Sequence, residues 1–170
     1  MSHIRHAVTG VLGLVGLLAF APSGLADEGE KVLEFDTMAG VVRPFTGAAN
    51  PVRGVNGGGL PWVIRTGKGE VRSDGRIEVK VRGLVLADDP AVPAARRLTN
   101  PIASFRALVS CLTVDPAGNA ATVNVSTGDF PATTAGDARI EAAVNLPDPC
   151  LAPVVFVTSP GGAWFAVTGG

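Results

Sequence analysis

The sequence predicts an all-β fold, an antiparallel β-sandwich or barrel of about eight or nine strands. Three observations carry this. Apolar residues recur at spacing two, and Val, Ile, Thr and Phe are prominent in those runs. The runs are broken at short intervals by a chain-wide total of 22 Gly and 13 Pro. Beyond residue 26 no stretch carries the three-to-four spacing of an amphipathic helix.

In chain order, the acidic segment 27–31 is a loose leader and 32–35 the first strand, with a further strand expected over 62–66. Residues 76–82 are the clearest strand: Ile77, Val79 and Val81 alternate with Glu78, Lys80 and Arg82, so one face is dry and the other wet. A short run at 69–72 precedes it. Asp74-Gly75 between the two indicates a hairpin with a type I′ turn, since both residues tolerate positive φ. Gly83, where the alternation loses phase, reads as a bulge. Residues 104–114 form the next strand, turned by Asp115-Pro116-Ala117-Gly118-Asn119 into 121–126. In 137–146 Ala138, Ile140, Ala142, Val144 and Leu146 share one side. The last pair, 154–158 and 163–168, is joined by Ser159-Pro160-Gly161-Gly162. Two long connections, 46–60 and 87–101, are where a binding site is expected.

Residues 1–26 read as a secretory signal peptide: Arg5 in a charge-bearing start, an apolar stretch over 7–21, and a small-residue exit at Gly24-Leu25-Ala26. The stretch is shorter than the roughly 20 residues a membrane span needs. Cleavage before Asp27 leaves a single β-sandwich domain over 27–170, with no stable membrane anchor, released to the periplasmic or cell-envelope space or secreted. With Arg5 removed from the 14 basic residues, the 15 acidic ones hold a small excess. No basic field therefore draws nucleic acid. Both histidines, His3 and His6, leave with the signal. That excludes histidine-based nucleophilic catalysis and histidine-bound metal, and no cofactor or metal site is expected. The Ala, Gly, Val and Arg bias is that of a high-GC bacterial genome, so the acceptor motif Asn124-Val125-Ser126 reads as coincidence.

Cys111 and Cys150 are the only cysteines and follow an export signal, so they are expected to form one disulfide. Gly54-Val55-Asn56-Gly57-Gly58-Gly59 lacks the Gly-Lys-Ser/Thr ending of a phosphate loop and leads into a strand, so it is a flexible loop. Trp62, just after it, is either a core side chain or an exposed aromatic platform for a sugar ring or a protein partner. It enters the candidate binding set with Asp88 and Asp89, a like-charged pair in a Pro-rich loop, and with Arg96 and Arg97, which neutralise that loop. Carboxylates are the main general acids or bases left. A glycan-active enzyme would need two of Asp88, Asp89, Asp115, Asp129, Asp137, Glu141 and Asp148 to face each other across a cleft.

Gly69-Glu70-Val71, Asp74-Gly75-Arg76, Val81-Arg82-Gly83-Leu84 and the ending Ser159-Pro160-Gly161-Gly162-Ala163 resemble the chordin-type (CHRD) repeat. The resemblance implies a β-sandwich core with a Pro-Gly-Gly turn before its last strand. The chain lacks the histidine-containing segment usual in that family, so no ligand chemistry is carried over. Through Phe45-Thr46-Gly47, Leu60-Pro61-Trp62 and the 156–162 segment it is also similar to uncharacterised exported bacterial β-sandwich proteins, which implies no activity.

The function expected on these grounds is a secreted, non-catalytic β-sandwich with an interaction or envelope-associated role, its partner a protein or a glycan. The alternatives are a carboxylate-dependent glycan-active enzyme and an exported inhibitor of a hydrolase. The protein recovered outside the producing cell is expected to begin at Asp27. Amino-terminal sequencing checks this, and a chain that retains Met1 contradicts the signal reading.

Overall fold

A computed structural model describes residues 29–168. The expected signal segment, and the outermost residues of the domain expected over 27–170, lie outside them. The described chain contains twelve strands and no α-helix: β1 (Lys31–Phe35), β2 (Met38–Gly40), β3 (Trp62–Val63), β4 (Thr66–Arg72), β5 (Arg76–Arg82), β6 (Val85–Leu86), β7 (Ser104–Val114), β8 (Ala120–Ser126), β9 (Phe130–Pro131), β10 (Ala138–Ala143), β11 (Leu151–Thr158) and β12 (Trp164–Thr168). All named pairings are antiparallel. The expectation of eight or nine strands was low because β2, β6 and β9 have only two or three residues each, too few to display alternation.

Two sheets sandwich one core. The first, sheet A, runs β1-β4-β5-β10, and the second, sheet B, runs β2-β12-β11-β7-β8, with β9 beside β8 on the same edge of β7; β3 and β6 form a separate ribbon. Sheet A turns Phe35, Val71, Ile77, Val79, Val81 and Ile140 inward. Sheet B answers with Phe105, Ala107, Val109, Val155 and Val157, all fully buried. Phe35 lies opposite Gly69, where any Cβ would stand 2.1 Å from the Glu78 carbonyl oxygen and 2.9 Å from the Phe35 ring. The glycine gives the ring its place against the sheet.

Sheet B is buried on both faces at its centre. Leu108, Ser110, Phe156, Thr158 and Trp164 point away from the sandwich core and are nevertheless buried. The hairpin Val52–Val55 lies against this second face, with the Asn124 amide donating to the Arg53 carbonyl at 3.0 Å. A strand covered on both sides needs no polar face, which is why 107–109 and 154–157 read as continuous apolar runs.

The turns differ from expectation in one instructive way. Three residues, Ser73 to Gly75, connect β4 to β5, the Gly75 N–H donates to the Arg72 carbonyl at 2.9 Å, and only Gly75 has positive φ, at 85°. This is a type I turn closed by a left-handed glycine, not the two-residue type I′ turn expected. The same device, ending on Gly118 and Gly162, joins β7 to β8 and β11 to β12. A type I′ geometry does occur, at Arg53-Gly54, where both φ values are positive at 50° and 79°. Gly83, expected as a bulge, is instead the corner at which the chain leaves sheet A, with φ 64° and its N–H held by the Asp137 carboxylate at 2.9 Å.

Cys111 on β7 is bonded to Cys150, which immediately precedes β11. The closed loop of about 40 residues restrains the unfolded chain, and the disulfide contributes about 4 kcal/mol in the chain-entropy model. The Cys111→Ala/Cys150→Ala double variant is therefore expected to melt roughly 10 °C lower than the parent, read by circular dichroism. An unchanged Tm would contradict this.

Candidate functional site

Trp62, proposed from sequence as a possible exposed platform, is core. Its side chain is 3% exposed, its ring stacks on Phe165 at 4.0 Å, and Phe105 meets it edge-on at 6.5 Å. The binding-platform reading of Trp62 is overturned because the β3–β6 ribbon presses this ring onto sheet B. The ribbon does bring Trp62 beside the base of the 87–101 loop, where the Ala87 N–H donates to the Pro61 carbonyl at 2.9 Å.

In that loop three of the four charged candidates, Asp88, Asp89 and Arg97, hold the chain's own shape. The Asp89 carboxylate accepts from the Ala91 N–H at 2.8 Å and lies 3.4 Å from the Arg43 guanidinium. Asp88 lies 3.3 Å from Arg97, whose Nε also donates to the Val92 carbonyl at 3.0 Å. Arg96 ends a single 3-10 turn, Ala94–Arg96, and is exposed. Most of the other sequence-selected carboxylates are likewise engaged. Asp129 pairs with Arg106, Asp137 caps Gly83, and Glu141 pairs with Arg139. Asp115 closes its turn on two backbone amides, and the Asn119 N–H holds that carboxyl below the ordinary range.

The charges that do converge lie on the outer face of sheet A, and the strand register arranges them by sign. Lys31 and Arg72 stand directly opposite each other. The next rung outward on this face is Glu34, Glu70, Glu78 and Glu141, one carboxylate from each strand. The rung after that is Lys68, Lys80 and Arg139. Like charges are thus neighbours across strands and opposite charges are neighbours along them. Directly opposed like charges repel, and diagonal opposite charges offset this. Lys31 reaches Glu70 at 2.9 Å and Glu34 at 3.1 Å, Arg72 reaches Glu70 at 2.8 Å, and Arg139 reaches Glu78 at 3.1 Å while also pairing with Glu141.

The alternation fails at one end. Where a second acidic rung belongs, Thr66 faces Arg82, with Arg65 just before it in the chain. Arg65, Lys68, Lys80 and Arg82 line a shallow groove of about 380 Å³ together with Thr66 and a single acid, Asp36. These four cations make no ion pair among the described residues.

No known protein family, curated protein or solved structure matches the chain. The segments that resemble the chordin-type repeat fall on β4, β5 and the corner at Gly83, and on the β11–β12 turn. Sequence reasoning missed the groove. Strand alternation puts Lys68, Lys80 and Arg82 on a wet face, but only the register aligns Lys68 with Lys80.

The electrostatics of the paired end are testable by pH. Hydrogen bonds from Lys31 first and Arg72 second hold the Glu70 carboxyl below its ordinary value of 4.5. A depressed carboxyl stabilises the fold fully above its unfolded pKa, and that contribution is lost as pH falls through the folded value. Glu70→Gln is therefore expected to unfold at lower urea than the parent at pH 7, with the gap closing on acidification below about pH 4. A gap that widens in acid would refute the assignment.

Proposed function

We propose that the protein acts outside the cytoplasm as a non-catalytic binding domain that holds an anionic glycan, one bearing carboxylate or sulfate groups, against the outer face of sheet A. The observation that carries the reading is the break in charge alternation. It leaves Arg65, Lys68, Lys80 and Arg82 around one groove with Asp36 as the only acid. In a chain whose acids slightly outnumber its bases, such a concentration is a local feature and not a reflection of composition. The disulfide fits an oxidising compartment, as does the export signal read from sequence. Among the described residues no helix is long and apolar enough to cross a membrane.

A strand-borne site suits this role. Lys68, Lys80 and Arg82 stand on paired strands and Arg65 directly precedes one, so little of their attraction for an anionic chain is spent on ordering a loop. The same face gives a carboxylate-dependent hydrolase less support. Its acids stand side by side along one rung, and Glu70, Glu78 and Glu141 are each held by a cation.

The test is retention on immobilised polyuronate at low ionic strength. The parent protein is expected to bind and to elute with added salt, because exposed charges are screened. Lys68→Glu/Lys80→Glu is expected to bind at least about tenfold more weakly, or about 1.4 kcal/mol, with an unchanged Tm. Failure of the parent to bind, or equal retention of the variant, overturns the reading, and release of reducing ends from the polymer would replace it with the enzyme.

A further inference from the structure

The two sheets have four outer strands, and three of them are guarded. β1 carries Lys31 and Glu34, and β10 carries Arg139 and Glu141. β2 is only three residues long, and the chain just beyond it is covered, with the Trp62 N–H donating to the Val41 carbonyl at 2.8 Å. Charge, brevity and cover are the usual devices against edge pairing. β8 has none of them. Ala120-Ala121-Thr122-Val123-Asn124-Val125-Ser126 contains no charge, no Pro and no Gly, and it pairs with β7 over all seven residues without a break in register.

The direction of its hydrogen bonds follows from the next residue. The Thr127 N–H donates to the Ala107 carbonyl at 2.9 Å, so the odd-numbered residues of this strand face β7. The N–H and C=O groups of Ala120, Thr122, Asn124 and Ser126 therefore point to the open side. Among the described residues no backbone group meets them. Sheet A also stops short here: its β10 packs against β7 and β9. On the core-facing side of β8, Ala121, Val123 and Val125 remain half-buried, so the apolar layer is incomplete at this edge.

We propose that β8 is a pairing edge and that its occupant is β8 of a second copy of this chain, giving a two-fold dimer in which sheet B runs continuously through both subunits. The strand is complementary to itself. A two-fold axis at Val123 sets Thr122 opposite Asn124 of the other copy and Ala120 opposite Ser126, so the outward groups of both strands meet in hydrogen-bonded pairs. It places Val123 against Val123, and Ala121 against Val125, which extends the unfinished apolar layer across the junction. No charge meets a like charge, because neither strand has one. An occupant must be an extended, uncharged segment with alternate small apolar residues, and the chain itself supplies one already held extended.

The test is sedimentation velocity on the exported protein over a concentration series, with Thr122→Pro and Thr122→Lys alongside. Proline at this position removes an outward N–H and leaves the bonds to β7 intact. Lysine keeps the N–H and adds a charge to the edge. The parent is expected to double in mass with rising concentration, and both variants are expected to stay monomeric, with the Tm that the parent shows at concentrations where it is monomeric. If the proline variant fails to fold, the lysine variant and amide exchange on the parent decide the matter. The Thr122 and Asn124 amides are expected to gain protection as concentration rises. A parent that stays monomeric throughout, variants that still dimerise, or amides that exchange equally fast at all concentrations overturn the proposal.

Discussion

The stack of Trp62 on Phe165 is the contact on which the arrangement of this molecule turns. It joins the β3–β6 ribbon to sheet B, and Phe105 completes the cluster by meeting Phe165 at 6.0 Å. A register shift near the start of β12 leaves Phe165 as the extra residue, which directs its ring into the core. Such ring pairs contribute about 0.5–1.5 kcal/mol beyond the area they bury. Position matters more here than energy. Only Val63, Ile64 and Arg65 separate Trp62 from the first residue of β4, so fixing Trp62 also fixes where β4 begins and where Arg65 stands at the rim of the groove.

The disulfide acts at the opposite kind of position, a crossing between layers. The chain moves from β10 in sheet A to β11 in sheet B through a connection that contains Cys150, and the bond to Cys111 ties the end of that crossing to the neighbouring strand. Within a sheet, consecutive strands are joined by tight glycine-closed turns. Between sheets they are held by a covalent bond here and by the capped corner at Gly83 and Asp137 elsewhere.

Much of this was legible in the residues. The wet and dry faces of β5 and β10, the two longest hairpins and the cysteine pair all follow from spacing and residue type. The β4–β5 turn was misjudged although the information was present. Val71 and Ile77 must share a face, and in an antiparallel pair that requires an odd number of residues in the turn. Asp-Gly alone would have set Val71 against Glu78. What lay beyond reading was β6, whose two residues show no period, and with it the pairing that makes a ribbon with β3, and the covering of the second face of sheet B, which comes from residues more than 50 positions away, as in the contact of Arg53 with Asn124. That cover removes the polar alternation from β11, which was legible over 154–158 only through its residue types and the turn that follows it. The charge rungs depend on three registers at once, so no single segment announces them.

The sign pattern on sheet A has a bearing on how far the protein can be felt. Along a strand the sign reverses every two residues, about 7 Å, which is shorter than the roughly 8 Å screening length of physiological salt. At a distance the bands cancel, and the paired part of the face exerts almost no pull on an approaching ion. In contact, the sign persists across the strands and flips along them. A charged chain laid on this surface thus meets a uniform track in one direction and an alternating one at right angles to it. The paired part of the face therefore distinguishes these two directions only at contact range, within the screening length of the surrounding salt.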